Sequence, residues 1–155
     1  MGATHVNHVS IVARKLADSL RFYEEVFSAE RLPTPNFGFP VQWLRVGHVQ
    51  LHVFERAQEA PLYHHFGLTV DDFERVYRLA DRLRIHDRKT FGHHFYELPN
   101  DIAQLYLRDP AGNLVEVNSV GASSLPADMV TEMRRLADEH VQNAENLRAM
   151  LFLDS

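Results

Sequence analysis

Two stretches of the chain align without a gap, "HVSIVARKL" from His8 to Leu16 and "HFGLTVDDF" from His65 to Phe73. An internal repeat constrains a fold more than any single motif, because both copies must then adopt one supersecondary pattern. In each, a histidine opens an apolar-alternating run that breaks into polar residues ahead of an amphipathic pattern. Leu16, Leu20, Tyr23 and Phe27 follow helical spacing in the first copy, and Phe73, Val76, Tyr77, Ala80 and Leu83 in the second. That spacing predicts helices over 16–27 and 73–83. A second pair of segments follows, "WLRVGHVQLHV" from Trp43 and "YLRDPAGNLVEV" from Tyr106. With one extra residue in the later turn, Trp43 falls on Tyr106 and His52 on Glu116. Each reads as two strands about a tight turn, Gly47-His48 in one and Asp109 to Gly112 in the other, where glycine and proline suit a reversal. The order in each copy is strand, helix, then antiparallel strands.

The middle of each copy, "PTPNFGFPVQ" and "KTFGHHFYELPN", suits a short second strand and a loop. "ERAQEAP", Glu55 to Pro61, is a polar connector. From about Pro126 a helix pattern runs to Leu151, with Met129, Met133, Leu136, Val141, Ala144 and Leu147 on an apolar face and Pro126 in the first turn. The chain is thus expected to hold one domain over 1–122, with modules at about 4–57 and 62–118, and a C-terminal helical extension over 123–155.

At 155 residues with 45% hydrophobic and 24% charged, the chain has a soluble globular composition. Its 16 basic residues are scattered among 21 acidic ones, so the clustered positive charge that nucleic acid requires is missing. No run approaches the roughly 20 apolar residues that span a bilayer, and no secretory leader is legible. Cysteine is absent, which removes disulfides and thiolate chemistry and accords with a cytoplasmic address. Ten histidines are the unusual number.

Strand alternation sorts these histidines. Val9 and Ile11 pack toward the first helix, so His8, Ser10 and Val12 point the other way. By the same rule His52 and Phe54, His65 and Gly67, and Glu116 lie on the faces turned away from the helices. If the two halves pair about a pseudo-twofold axis, His8, His52, His65 and Glu116 converge. Imidazole and carboxylate suit borderline divalent metals, and two histidines with one carboxylate and open positions is the arrangement of non-haem Fe(II) sites. A buried carboxylate without a partner is costly, so a cation explains Glu116 better than chance does. His5, His48, His64, His86 and His140 read as surface or structural. His93 and His94 lie in a loop placed to roof a cavity.

"VNHVSIVARKLADSLRFY", "HHFGLTVDDF" and "LYLRDPAGNLVEV" resemble the vicinal oxygen chelate superfamily, which includes glyoxalase I, extradiol dioxygenases, fosfomycin-resistance transferases and bleomycin-binding proteins. The resemblance covers roughly Thr4 to Asn118. It implies an α+β fold of tandem βαβββ modules whose sheets form a cup around a metal, with a small substrate gripped through two adjacent oxygens and assembly as a homodimer. It carries His8, His65 and Glu116 over as metal ligands, with Fe(II) favoured and Mn, Ni, Co or Zn as alternatives.

The branches differ at a few positions. Glyoxalase I places a carboxylate where this chain has His52. The fosfomycin transferases share Tyr106 and a hydroxyl at Ser10, but no Lys or Arg lies between Arg108 and Arg134 to grip a phosphonate. Extradiol dioxygenases resemble the chain in the three ligands, in His52, and in a tyrosine ten residues before the glutamate; their further histidine upstream of that tyrosine has no clean match. The expectation is therefore an extradiol-type dioxygenase with His52 as acid/base and Tyr106 donating to a substrate oxygen. A glyoxalase-type lyase or isomerase is the alternative, and a non-catalytic drug- or metabolite-binding protein a further one. Ser10, Trp43, Phe54 and His94 are candidate pocket residues.

Overall fold

The computed structural model describes residues 2–153. Both copies of the repeat fold as βαβββ. The first comprises β1 (His8–Ala13), α1 (Leu16–Phe27), β2 (Glu30–Leu32), β3 (Val41–Val46) and β4 (Val49–Glu55); the second comprises β5 (His65–Thr69), α2 (Phe73–Leu83), β6 (Phe95–Leu98), β7 (Ile102–Arg108) and β8 (Leu114–Val120). The strands form two sheets, ordered β1-β4-β3-β2 and β5-β8-β7-β6. The chain divides into two compact units, residues 1–66 with 108–114 and residues 67–107 with 115–155.

In the first unit α1 lies against β1, β3 and β4 and buries Leu20, Tyr23 and Val26 over Ile11, Leu44, Leu51 and Val53. Each such side chain contributes roughly 1.5–3 kcal/mol by leaving water. The start of α1 has no side-chain cap from Lys15; instead Glu55 at the end of β4 accepts from the Leu16 amide at 2.7 Å, satisfying one of the orphan donors of a helix start. Parallel pairing sets His8 beside Gln50, Ser10 beside His52 and Val12 beside Phe54, and antiparallel pairing sets Trp43 beside His52. The Asp109 to Gly112 turn belongs to this unit. Asp109 accepts from the Tyr23 hydroxyl at 3.0 Å and from the Ala111 and Asn113 amides, and Gly112 takes the positive φ, 90°, that closes the turn.

In the second unit Asp72 caps α2 by accepting from the Arg75 amide at 2.9 Å. Phe73 and Tyr77 of the helix pack on Phe95 at ring separations of 5.6 and 5.3 Å, above a core of Leu105, Leu107, Val115 and Val117.

Both repeat helices match their predicted bounds, and two expectations change. The short second strand of the first copy lies upstream of "PTPNFGFPVQ", at Glu30–Leu32, whereas that of the second copy falls inside the expected segment. The single C-terminal helix is replaced by short pieces: α3 (Ala127–Glu132), β9 (Arg134–Arg135), α4 (Leu136–Glu139) and a 3₁₀ turn at Asn146–Arg148. Extended backbone at Met133 lets β9 add to the open edge of β6, Tyr96 beside Arg134, and Asn143 folds a turn by accepting from the Glu145 and Asn146 amides. Of the apolar positions meant to form one face, Val141 and Leu147 stay exposed. Without a surface to cover, helical spacing alone does not hold a helix together.

Candidate metal and substrate site

On β1, β4 and β3 the face turned away from α1 carries a stack of three rings. His52 lies flat between Trp43, at 4.4 Å and 8°, and His8, at 4.3 Å and 11°. Strand register produces this order, because Trp43 and Ser10 flank His52 on either side and His8 reaches across from the next position on its own face. His52 is buried, and its Nε2 meets Gln50 Oε1 at 2.9 Å. Burial, with the neighbouring His8 imidazole, pushes its basicity below the ordinary value, so the ring is neutral around pH 7. Phe54, Phe39 and Phe37 continue an aromatic surface from it: Phe39 lies 6.0 Å from Phe54 and 6.1 Å from Phe37, and Phe37 lies 6.1 Å from Trp43.

The other expected ligands are oriented by their neighbours. His8 Nδ1 hydrogen-bonds Asn7 Oδ1, and His65 Nδ1 donates to the Tyr63 carbonyl at 2.8 Å. An imidazole whose one proton sits on Nδ1 carries its acceptor lone pair on Nε2. Glu116 is buried on β8 and accepts from Asn118 Nδ2 at 2.8 Å. Gly67 of β5 faces it closely: a Cβ there would stand 3.6 Å from Glu116 Oε1 and 3.4 Å from Asn118 Nδ2. Anything longer than alanine at 67 would run across the carboxylate. Tyr106 is buried, donates to Gln104 Oε1 at 2.9 Å, and lies beside Glu116. Burial first, then the Glu116 charge, holds its phenol well above the usual value, and it stays protonated.

His8 and His52 are therefore brought together, and Ser10, Trp43 and Phe54 lie on their face. Among the described residues no three His, Asp or Glu side chains converge closely enough to hold a metal ion. His94 departs from its expected place. It is fully buried, packed 4.4 Å from His86 and 6.3 Å from Tyr77 of α2, so it belongs to the core rather than to a cavity roof. Burial, then the adjoining His86, Arg88 and His93, lowers its basicity to about 3, against a smaller opposing pull from Glu132. His86, expected to be surface or structural, is a core neighbour, its Nε2 enclosed. The orienting residues Gln50, Asn118 and Gln104 were missed. Each sits two residues from its client, the same-face spacing of a strand, which is the signal that finds them.

The sequence matches the family model of the Glyoxalase/Bleomycin resistance protein/Dioxygenase superfamily over residues 5–117, and the chain belongs to that superfamily. Similar folds occur in a putative glyoxalase family protein from Bacillus anthracis (18% identity, 76% of this chain and 96% of that one, TM-score 0.60) and in lactoylglutathione lyase from Agrobacterium tumefaciens (23%, 76% and 94%, TM-score 0.56). Fosfomycin resistance protein FosX from Mesorhizobium loti is also similar (17%, 79% and 97%, TM-score 0.57). Comparison with curated proteins gives no match. No helix among the described residues is long and apolar enough to cross a membrane.

Proposed function

We propose that the protein is a divalent-metal-dependent enzyme that grips a small substrate through two adjacent oxygens, with His8, His65 and Glu116 as metal ligands, a set that the described residues of one chain do not bring together by themselves. The observation that carries this reading is the orientation of the candidate ligands. Both imidazoles are held at Nδ1 with the acceptor at Nε2, and Glu116 is held by Asn118 under a strand position without a side chain. Ligating histidines are oriented in this way by an acceptor on the other nitrogen. Two imidazoles and a carboxylate fit Fe(II), and also Mn, Ni, Co or Zn. When bound, the ion supplies Lewis acidity and a template for vicinal oxygens.

The chain's own groups then divide the remaining work. His52, neutral and held by Gln50, takes a proton from the substrate. Tyr106, kept protonated, turns its one donor from Gln104 to a substrate oxygen. The rings of Trp43 and Phe54 offer an aromatic surface suited to an aromatic diol, so the reaction favoured is extradiol-type oxygenation of a catechol. Glyoxalase-type proton transfer is the second reading, in which the neutral His52 takes a C–H proton acidified by an adjacent carbonyl. The functional particle in this reading is a cytoplasmic homodimer, supported by exposed apolar side chains such as Val120 and Phe152 and testable by sedimentation.

Protein purified without oxygen is expected to retain Fe(II) and to consume O2 with a catechol. Retention of Ni, Zn or Co without oxygen uptake would replace the dioxygenase reading with the lyase or isomerase one. No retained metal, with ligand affinity unchanged in His65→Ala, would assign the chain to non-catalytic binding.

A further inference from the structure

Beyond the ring stack, the same face of the first unit holds a cavity of about 370 Å³. Ser10 and Val12 of β1, Phe54 of β4, and Arg56, Gln58 and Asn113 line it, and no lining residue is acidic. Register explains why a guanidinium is there. His52, Phe54 and Arg56 alternate onto the face turned away from α1, while Glu55 points to the helix and accepts from the Leu16 amide. The nearest carboxylate in sequence is thereby drawn away from Arg56.

Arg56 is positioned but not neutralised. Its guanidinium lies 3.5 Å from the Phe39 ring centroid, and its backbone amide is tied to the Ala13 carbonyl at 3.0 Å. Its one side-chain hydrogen bond is a long contact, 3.4 Å, to the Glu55 carbonyl, and no ion pair to it occurs among the described residues. A guanidinium held over an aromatic ring by its central carbon still has N–H donors to offer a planar oxyanion. The Ser10 hydroxyl and the Gln58 amide add neutral donors. At ~3.3 Å per residue, Arg56 stands roughly 13 Å along the strand from His52, room for an aromatic ring and a short spacer.

We propose that this cavity binds the carboxylate of an aromatic acid, with Arg56 reading its charge and Phe54 packing on its ring. The substrate class of the reaction is then an aromatic carboxylate rather than a neutral ring. That last step rests on the metal-dependent reading; the binding itself does not.

The test uses the intact metal-free protein, with the fluorescence of Trp43, the single tryptophan, as the readout. The probes are 3-phenylpropanoate and its neutral amide. The acid is expected to bind at least about tenfold more tightly than the amide, as one charge-assisted contact provides. Arg56→Gln is expected to erase that preference while leaving amide affinity unchanged, and Arg56→Lys to keep part of it. Equal binding of acid and amide by the native chain, no binding of the acid, or a preference that survives Arg56→Gln would each overturn the proposal. The native comparison needs no variant to fold. Metal content, measured separately, tells the two readings apart: lost metal retention with the acid preference intact defeats only the metal reading, and the converse defeats only this one.

Discussion

The two copies of the repeat use the same pair of strand positions in opposite ways. In the first, Trp43 lies flat on His52 and burial disfavours charge on the imidazole. In the second, the equivalent Tyr106 and Glu116 form a buried polar pair, with Gln104 and Asn118 supplying further hydrogen bonds. One scaffold thus builds an aromatic face around an imidazole in the first copy and a hydrogen-bonded face around a carboxylate in the second. Burial and the His8 imidazole disfavour charge on His52, whereas hydrogen bonding orients the Glu116 carboxylate, and in the proposed function the first copy handles the proton and the second the cation.

The sharpest way to break this contrast is to exchange its consequences. Glu116→Ala is expected to abolish metal retention and to lower kcat/KM by roughly a thousandfold, the scale of a lost metal contribution; metal analysis alongside kinetics checks it. Metal retained in that variant but lost in His52→Ala would reverse the assignment of the two faces. His52→Gln is expected to keep its metal and lose about a hundredfold in kcat. With His52 as the proposed base and its basicity lowered by burial, the native pH profile should fall on the acid side, through a value below the ordinary imidazole one. That limb should vanish in His52→Gln.

The second copy also has a buried imidazole, His94, remote in role from the substrate face. Its folded value, about 3, lies below the ordinary value near 6.5. The unfolded chain therefore binds the extra proton first, so the stability associated with neutral His94 is full above about pH 6.5 and is lost as pH falls toward 3. Denaturant titrations at pH 7 and pH 4.5 are expected to differ by on the order of 2 kcal/mol from this group, and His94→Phe should flatten the difference. Unchanged pH dependence in that variant would mean another group sets acid stability. The smallest effect expected is from deleting residues 141–155. With Val141, Met150 and Phe152 exposed, Tm should shift by no more than about 4 °C.

Legibility in the sequence followed the number of neighbours each residue has. The bounds of α1 and α2 were readable because both bury a continuous apolar stripe against a sheet, and the stripe is the spacing itself. β2 was misplaced because three residues at a sheet edge gain most of their order from backbone pairing with β3, which leaves little trace in side-chain pattern. The C-terminal helix failed for the opposite reason: its pattern was present, but Val141 and Leu147 stay exposed. At the candidate site, alternation was enough to put His8, His52 and Ser10 on one face. Arg56 was passed over because it stands just beyond the strand, in what reads as a polar connector, and only the cavity beside it shows where its guanidinium points.

Glu55 and Arg56 together act as an electrostatic check on how β4 is threaded. A slip by one residue would turn every side chain of the strand to the opposite face. It would set a guanidinium against the positive end of α1, where the Leu16 amide now meets a carboxylate, and would place an acid in the cavity. The misthreaded sheet would thus be penalised at both faces at once, so two adjacent residues of opposite sign guard the register on which the whole ring stack depends.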